Sequence, residues 1–82
     1  QIETYPNPFV NSINIHYNSN ANNKGTIRIL NADGKTILVK YVMVNSGANS
    51  YELKNLDILA KGNYIIEFKT DSATITKQLI KQ

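Results

Sequence analysis

The stretch GTIRILNADGKTILVKYVMV, Gly25–Val44, carries two apolar runs on either side of a polar turn. Ile27 and Ile29 flank Arg28, the period of two that puts one face of a strand in a core and the other in water. The run stops at NADGK, where Asp33-Gly34 is a strong hairpin signal. Gly34 can take the positive φ that closes a type I turn with a bulge. KTILVKYVMV is then the return strand, long enough to bend or to cross between sheets.

The same period recurs on both sides of this hairpin. In SINIHYN, Ile13, Ile15 and Tyr17 alternate with Asn14 and His16. NSNANNKG and NSGANS are polar and read as loops, and SYEL as a brief strand. KNLDILAKGN predicts a corner with Leu56, Ile58 and Leu59 tucked beneath it. YIIEFKT sets Tyr64, Ile66 and Phe68 against Ile65, Glu67 and Lys69. A two-residue Asp71-Ser72 turn leads into ATITKQLIKQ, where Ile75 and Leu79 share a face with Lys77. That lysine implies that the core face ends early, that a bulge intervenes, or that its stem snorkels to water. With IETY at the start there are about seven short strands, and no capped segment with helical spacing. The expected fold is all-β, a seven-stranded antiparallel β-sandwich in a single domain, 1–82.

The 82 residues hold no cysteine, so neither disulfides nor thiolate metal sites support the small core. A hydrophobic fraction of 41% and a charged fraction of 18% describe a folded domain with a thin core rather than a polyelectrolyte. The formal charge of +3 comes from lysines and one arginine scattered singly, which is a solvated surface and not a nucleic-acid footprint. No apolar run is long enough for a membrane-spanning helix, and the first residues lack the layout of a signal peptide.

Chemistry is hard to assemble from these residues. Asp33, Asp57 and Asp71 fall in turns, while Glu3, Glu52 and Glu67 take outward strand positions. His16 is the one histidine, on a polar strand face, where a metal site would need three or four convergent ligands. The serines lie in or beside loops without a nucleophile elbow, and the four glycines are too dispersed to cradle phosphate. No catalysis, metal or cofactor is expected. What remains is a binding, adhesive or signalling domain that works through its surface and strand edges. The last strand reads as an uncovered handle for a partner.

TYPNPF near the start, NADGKTI in the middle, LAKGNYII later and TKQLIKQ at the end fall in the order and approximate spacing of a known family. Across essentially the whole chain the sequence resembles the type A C-terminal sorting domains of the bacterial type IX secretion system. The resemblance implies an immunoglobulin-like sandwich at the C-terminus of a secreted cargo. Its implied partners are the N-terminal cargo domain, the outer-membrane translocon and its shuttle protein, and a surface sortase that removes the domain. The cargo would pass through the periplasm and outer membrane to be released or held at the cell surface, cut ahead of the domain.

Carried over by position, the proline box is Tyr5, Pro6, Asn7, Pro8 and Phe9; the hairpin motif is Gly34 and Lys35. The L-x-x-G-x-Y motif is Leu59, Gly62 and Tyr64, and the terminal strand contributes Lys77, Gln78, Leu79, Ile80 and Lys81. Gln78 stands where a second basic residue is common. From the residues alone, Gly62 supplies a left-handed turn with Leu59 and Tyr64 packing across it, a tyrosine corner. Pro6 and Pro8, the chain's only prolines, end the first strand in a stiff polyproline-like step anchored by Tyr5 and Phe9. The competing reading is a carbohydrate-binding or adhesive module of immunoglobulin-like or fibronectin-like fold. It is weak, because Tyr5, Phe9, Tyr17, Tyr64 and Phe68 take expected core positions and leave only Tyr41 and Tyr51 to stack on sugars.

Overall fold

The computed structural model describes residues 2–82. Seven strands form it: β1 (Ile2–Tyr5), β2 (Ile13–Ser19), β3 (Asn23–Asn31), β4 (Thr36–Val44), β5 (Gly47–Leu53), β6 (Gly62–Thr70) and β7 (Thr74–Lys81). A single 3₁₀ turn at Leu56–Ile58 is the one helical element among the described residues. Two antiparallel sheets, β1-β2-β5 and β4-β3-β6-β7, face one another, as in an immunoglobulin-like sandwich.

The period-two pattern becomes the core directly. Ile13, Ile15 and Tyr17 of β2 meet Ile27 and Ile29 of β3 and Ile66 and Phe68 of β6, all buried. Tyr17 and Tyr51 pack against Phe68, with ring centroids 4.7 Å and 6.2 Å away. The β3–β4 hairpin closes as expected: Gly34 takes φ +83°, and its N–H donates to the Asn31 carbonyl at 2.9 Å. Asn31 adds a brace, its Oδ1 accepting from the amides of Asp33 and Lys35 at 3.0 Å each. The register slips once, between Ile29 and Leu30, leaving Ile37 as a bulge; otherwise β4 stays beside β3 and does not cross sheets.

Several local expectations change. NSNANNKG is mostly strand, because β2 runs to Ser19 and β3 starts at Asn23, and NSGANS is mostly β5. The polar composition hid this because Asn49 does the work of a core side chain. Buried on the inner face, it donates from Nδ2 to the carbonyls of Asn45, Gly47 and Tyr17 at 2.9, 3.1 and 3.3 Å. Its Oδ1 accepts the Asn45 amide at 2.9 Å, so the turn and strand β2 are tied through one amide group. The corner buries Leu56 and half-buries Leu59, but Ile58 points to water at 84% exposure. A one-turn 3₁₀ element at the rim has only one side against the core.

Ile15→Ala and Leu56→Ala remove fully buried side chains and are expected to cost about 2–5 kcal/mol each in urea denaturation. Ile58→Ala is expected to stay within about 0.5 kcal/mol of the parent.

Tyr51 supplies a pH prediction. Its hydroxyl donates to the Met43 carbonyl at 2.8 Å; burial first, and neighbouring Tyr17 second, hold the phenol above its ordinary pKa. The folded chain keeps the proton more tightly than the unfolded one. This contribution is complete below the unfolded phenol's pKa of about 10 and is lost as pH rises through the folded value. Stability measured between neutral and strongly alkaline pH should therefore fall more in the parent than in Tyr51→Phe.

Candidate functional site

The four motif pieces, scattered over most of the sequence, meet at one pole of the sandwich. Asn31 of β3, Tyr64 of β6 and Leu79 of β7 stand in one cross-strand row, with Gly62 opposite Lys81 just beyond. The NADGK turn, the corner before β6 and the end of β7 therefore share an end of the four-stranded sheet.

The proline box completes that end by crossing to the other side of β7. Phe9 makes a parallel bridge with Lys81: its N–H donates to the Ile80 carbonyl at 2.8 Å, and its carbonyl accepts the Gln82 amide at 2.9 Å. Two residues earlier, Asn7 continues this pairing with its side chain. Oδ1 accepts the Ile80 amide at 2.9 Å, and Nδ2 donates to the Gln78 carbonyl at 3.2 Å. A primary amide presents the same donor and acceptor as a peptide group, so Asn7 extends the ladder where the flanking prolines have no N–H to give. The terminal strand is thus not uncovered. Its edge is occupied along the C-terminal half, while the outward amides of Thr74 and Thr76 have no such cover among the described residues.

The box itself differs from a polyproline-like step anchored at both ends. Tyr5–Pro6 and Asn7–Pro8 are both cis. Phe9 is fully buried, with its ring edge-on to Tyr64 at 6.2 Å, but Tyr5 is 47% exposed. Tyr5 lies on the outer face of β1 because its register partner Asn14 is outward on β2; its hydroxyl bonds His16 Nε2 at 2.8 Å. Neither Tyr5 nor the histidine is a core residue.

In the L-x-x-G-x-Y motif the tyrosine corner is present: the Tyr64 hydroxyl donates to the Ala60 carbonyl at 2.6 Å. Gly62 takes φ +141°, a positive value that disfavours any side chain. Gly34 and Lys35 are exposed at the hairpin tip. On β7, Leu79 is buried, Gln78 and Ile80 face outward, and Lys77 lies on the inner side opposite Ile66 yet is exposed. No register slip occurs in the pairing of β6 with β7, so a bulge does not explain Lys77. Lys81, expected as part of an uncovered basic handle, is buried, since only 6% of it reaches solvent. Its backbone lies between Gly62 of β6 and Phe9 of the proline box, and its Nζ donates to the Gln82 carbonyl at 2.7 Å.

A depression of about 380 Å³ opens beside this latch of Asn7 and Phe9 on β7, lined by Asn7, Ala32, Asn63, Ile65, Gln78 and Ile80. Side-chain amides of Asn7, Asn63 and Gln78 and the apolar side chains of Ile65 and Ile80 line it, and no group of three His, Cys, Asp or Glu capable of holding a metal occurs among the described residues. The aromatic candidates for sugar stacking also thin out. Tyr51 is half-buried and bonded to a carbonyl, and the two exposed tyrosines, Tyr5 and Tyr41, belong to different sheets.

Asn7→Ala removes both side-chain bonds and is expected to lower stability by about 1–2 kcal/mol, although the side chain is exposed. Lys77→Ala, on the same pole without those bonds, is expected to change it by less than about 0.5 kcal/mol. Urea denaturation of the two variants reads the difference.

The chain matches the secretion system C-terminal sorting domain family over residues 3–82. No curated protein matches it. With the motif residues gathered at one pole of an all-β sandwich and the family matched across nearly every residue, the chain belongs to the C-terminal sorting domains of the type IX secretion system.

Proposed function

We propose that this domain is the C-terminal signal, 1–82, of a larger cargo protein, read during passage across the outer membrane and without catalysis of its own. The translocon and its shuttle protein recognise it after the cargo reaches the periplasm. A surface sortase then cuts ahead of it, and the cargo is released or held at the cell surface. The observation that carries this reading is the convergence of the proline box, the hairpin tip, the tyrosine corner and β7 at one pole. A translocon that grips this pole reads residues from both ends of the domain at once, and so accepts the domain only when it is folded.

The motif residues then divide by what they can offer a partner. Phe9, Leu59, Tyr64, Leu79 and Lys81 are buried or half-buried and hold the pole together. Pro6, Asn7, Pro8, Lys35, Lys77, Gln78 and Ile80 are exposed and form the surface that is read, with Tyr5 and the tip glycine Gly34 at its margin.

The test fuses the domain behind a carrier bearing a signal peptide in a cell with an active type IX system. The parent fusion is expected at the cell surface, and deletion of Thr76–Gln82 is expected to leave the carrier in the periplasm. Because that deletion also removes Leu79 from the core, the paired variant Lys77→Glu with Gln78→Glu separates reading from folding. It should keep the parent urea midpoint and still lose most surface delivery. Undiminished delivery of a folded double variant would refute recognition through the terminal strand.

A further inference from the structure

The outer row of β4 departs from every other strand. Outward positions on β2, β5 and β7 carry mainly Asn, His, Ser, Glu, Thr and Gln, whereas β4 presents Val39, Tyr41 and Met43 in succession. Tyr41 is 80% and Met43 67% exposed. β4 is also an edge, paired with β3 alone. The alternation of the ladder turns the N–H and C=O groups of Val39, Tyr41 and Met43 away from β3. The Met43 carbonyl takes the Tyr51 hydroxyl; the others have no hydrogen-bond partner among the described residues.

The molecule manages its other edges. β7 is covered along its C-terminal half by Asn7 and Phe9, and β1 is only four residues long. On β5 the Glu52 carbonyl takes the ammonium of Lys40 at 3.3 Å. A nine-residue edge with an exposed apolar row is the kind of template that proteins otherwise suppress.

Charge decides what fits it. Lys24 lies across from Met43, Lys69 stands one strand further along Tyr41's row, and Lys40 interrupts β4 itself. With Tyr41, Met43 and Asp71, Lys24 and Lys69 line a groove of about 420 Å³ on the outer face. Nearby Glu67 is already paired with Arg28 at 3.2 Å. The strand carries no carboxylate, so a second copy laid against it would add cations to cations. We infer that the β4 edge is a docking site for an extended, acidic segment of another protein, added as a fifth strand to the four-stranded sheet. Its main chain pairs with Val39, Tyr41 and Met43, its apolar side chains cover Tyr41 and Met43, and its carboxylates meet Lys24 and Lys69. This site lies on the opposite sheet edge from β7 and stands independently of the sorting proposal.

The probe is a blocked decapeptide built on the repeat Val-Val-Glu-Glu, which puts both residue types on each face of a strand, titrated into the 82-residue chain. Saturable binding should slow amide exchange at Val39, Tyr41 and Met43 by about tenfold or more and should weaken with added salt. Tyr41→Pro should retain the fold, because that N–H faces away from β3, and should abolish binding; Tyr41→Lys should weaken it strongly. Lack of protection at these amides overturns the inference, as does equal binding of a peptide with lysine in place of glutamate. Protection that rises with protein concentration in the absence of peptide would also overturn it, by making a second copy the occupant.

Discussion

The pairing of Asn7 and Phe9 with the edge of β7 is the constraint on which the pole of this sandwich depends. Seven strands in two small sheets leave four edges and two ends to close, with no cysteine to form a disulfide and no cluster of metal-ligating side chains among the described residues. The segment after β1 closes one edge and one end together. Its backbone bonds at Phe9 and side-chain bonds at Asn7 occupy the edge of β7 from Gln78 onward and the following Gln82. The Phe9 ring fills the space under the Tyr64 corner. Each hydrogen bond is worth about 0.5–1.5 kcal/mol net, and burial of a phenylalanine about 1.5–3 kcal/mol. For a domain whose whole stability is of the order of 5–15 kcal/mol, this contact is a large share.

The two prolines make physical sense in that light. A strand that ends at Tyr5 must cross from one sheet to the edge of the other within four residues. Pro6 and Pro8 remove N–H groups that would need partners on the way. Asn7 between them is left to pair through its side chain, which an aspartate, leucine or serine could not do with both a donor and an acceptor at peptide-like spacing.

Period-two alternation made the core legible: Ile13, Ile15, Tyr17, Ile27, Ile29, Tyr64, Ile66, Phe68 and Leu79 lie inward as their spacing requires. The Asp33-Gly34 hairpin was equally plain, because one glycine at positive φ has few alternatives. Asn49 was hidden because its composition says loop, and only three-dimensional closure shows an amide satisfying the carbonyls of Asn45, Gly47 and Tyr17. Lys81 and Ile58 went opposite to their hydropathy, since rim geometry, not residue type, decided their exposure. The latch joins residues more than seventy positions apart, and no local pattern in TYPNPF or TITKQLIKQ announces the partner. The pole could be assembled on paper only through family resemblance, which orders the motifs without saying that they touch.

If the proline box and the terminal strand are one structural unit, their amides must open together. Native-state hydrogen exchange on the intact chain measures this at Phe9, Ile80 and Gln82, whose N–H groups are donated across the contact, against Tyr64 and Leu79 in the β6–β7 ladder. The account predicts the same opening free energy for both sets, close to that of global unfolding. Rapid, independent exchange at Phe9, Ile80 and Gln82 while Tyr64 and Leu79 stay protected would contradict it.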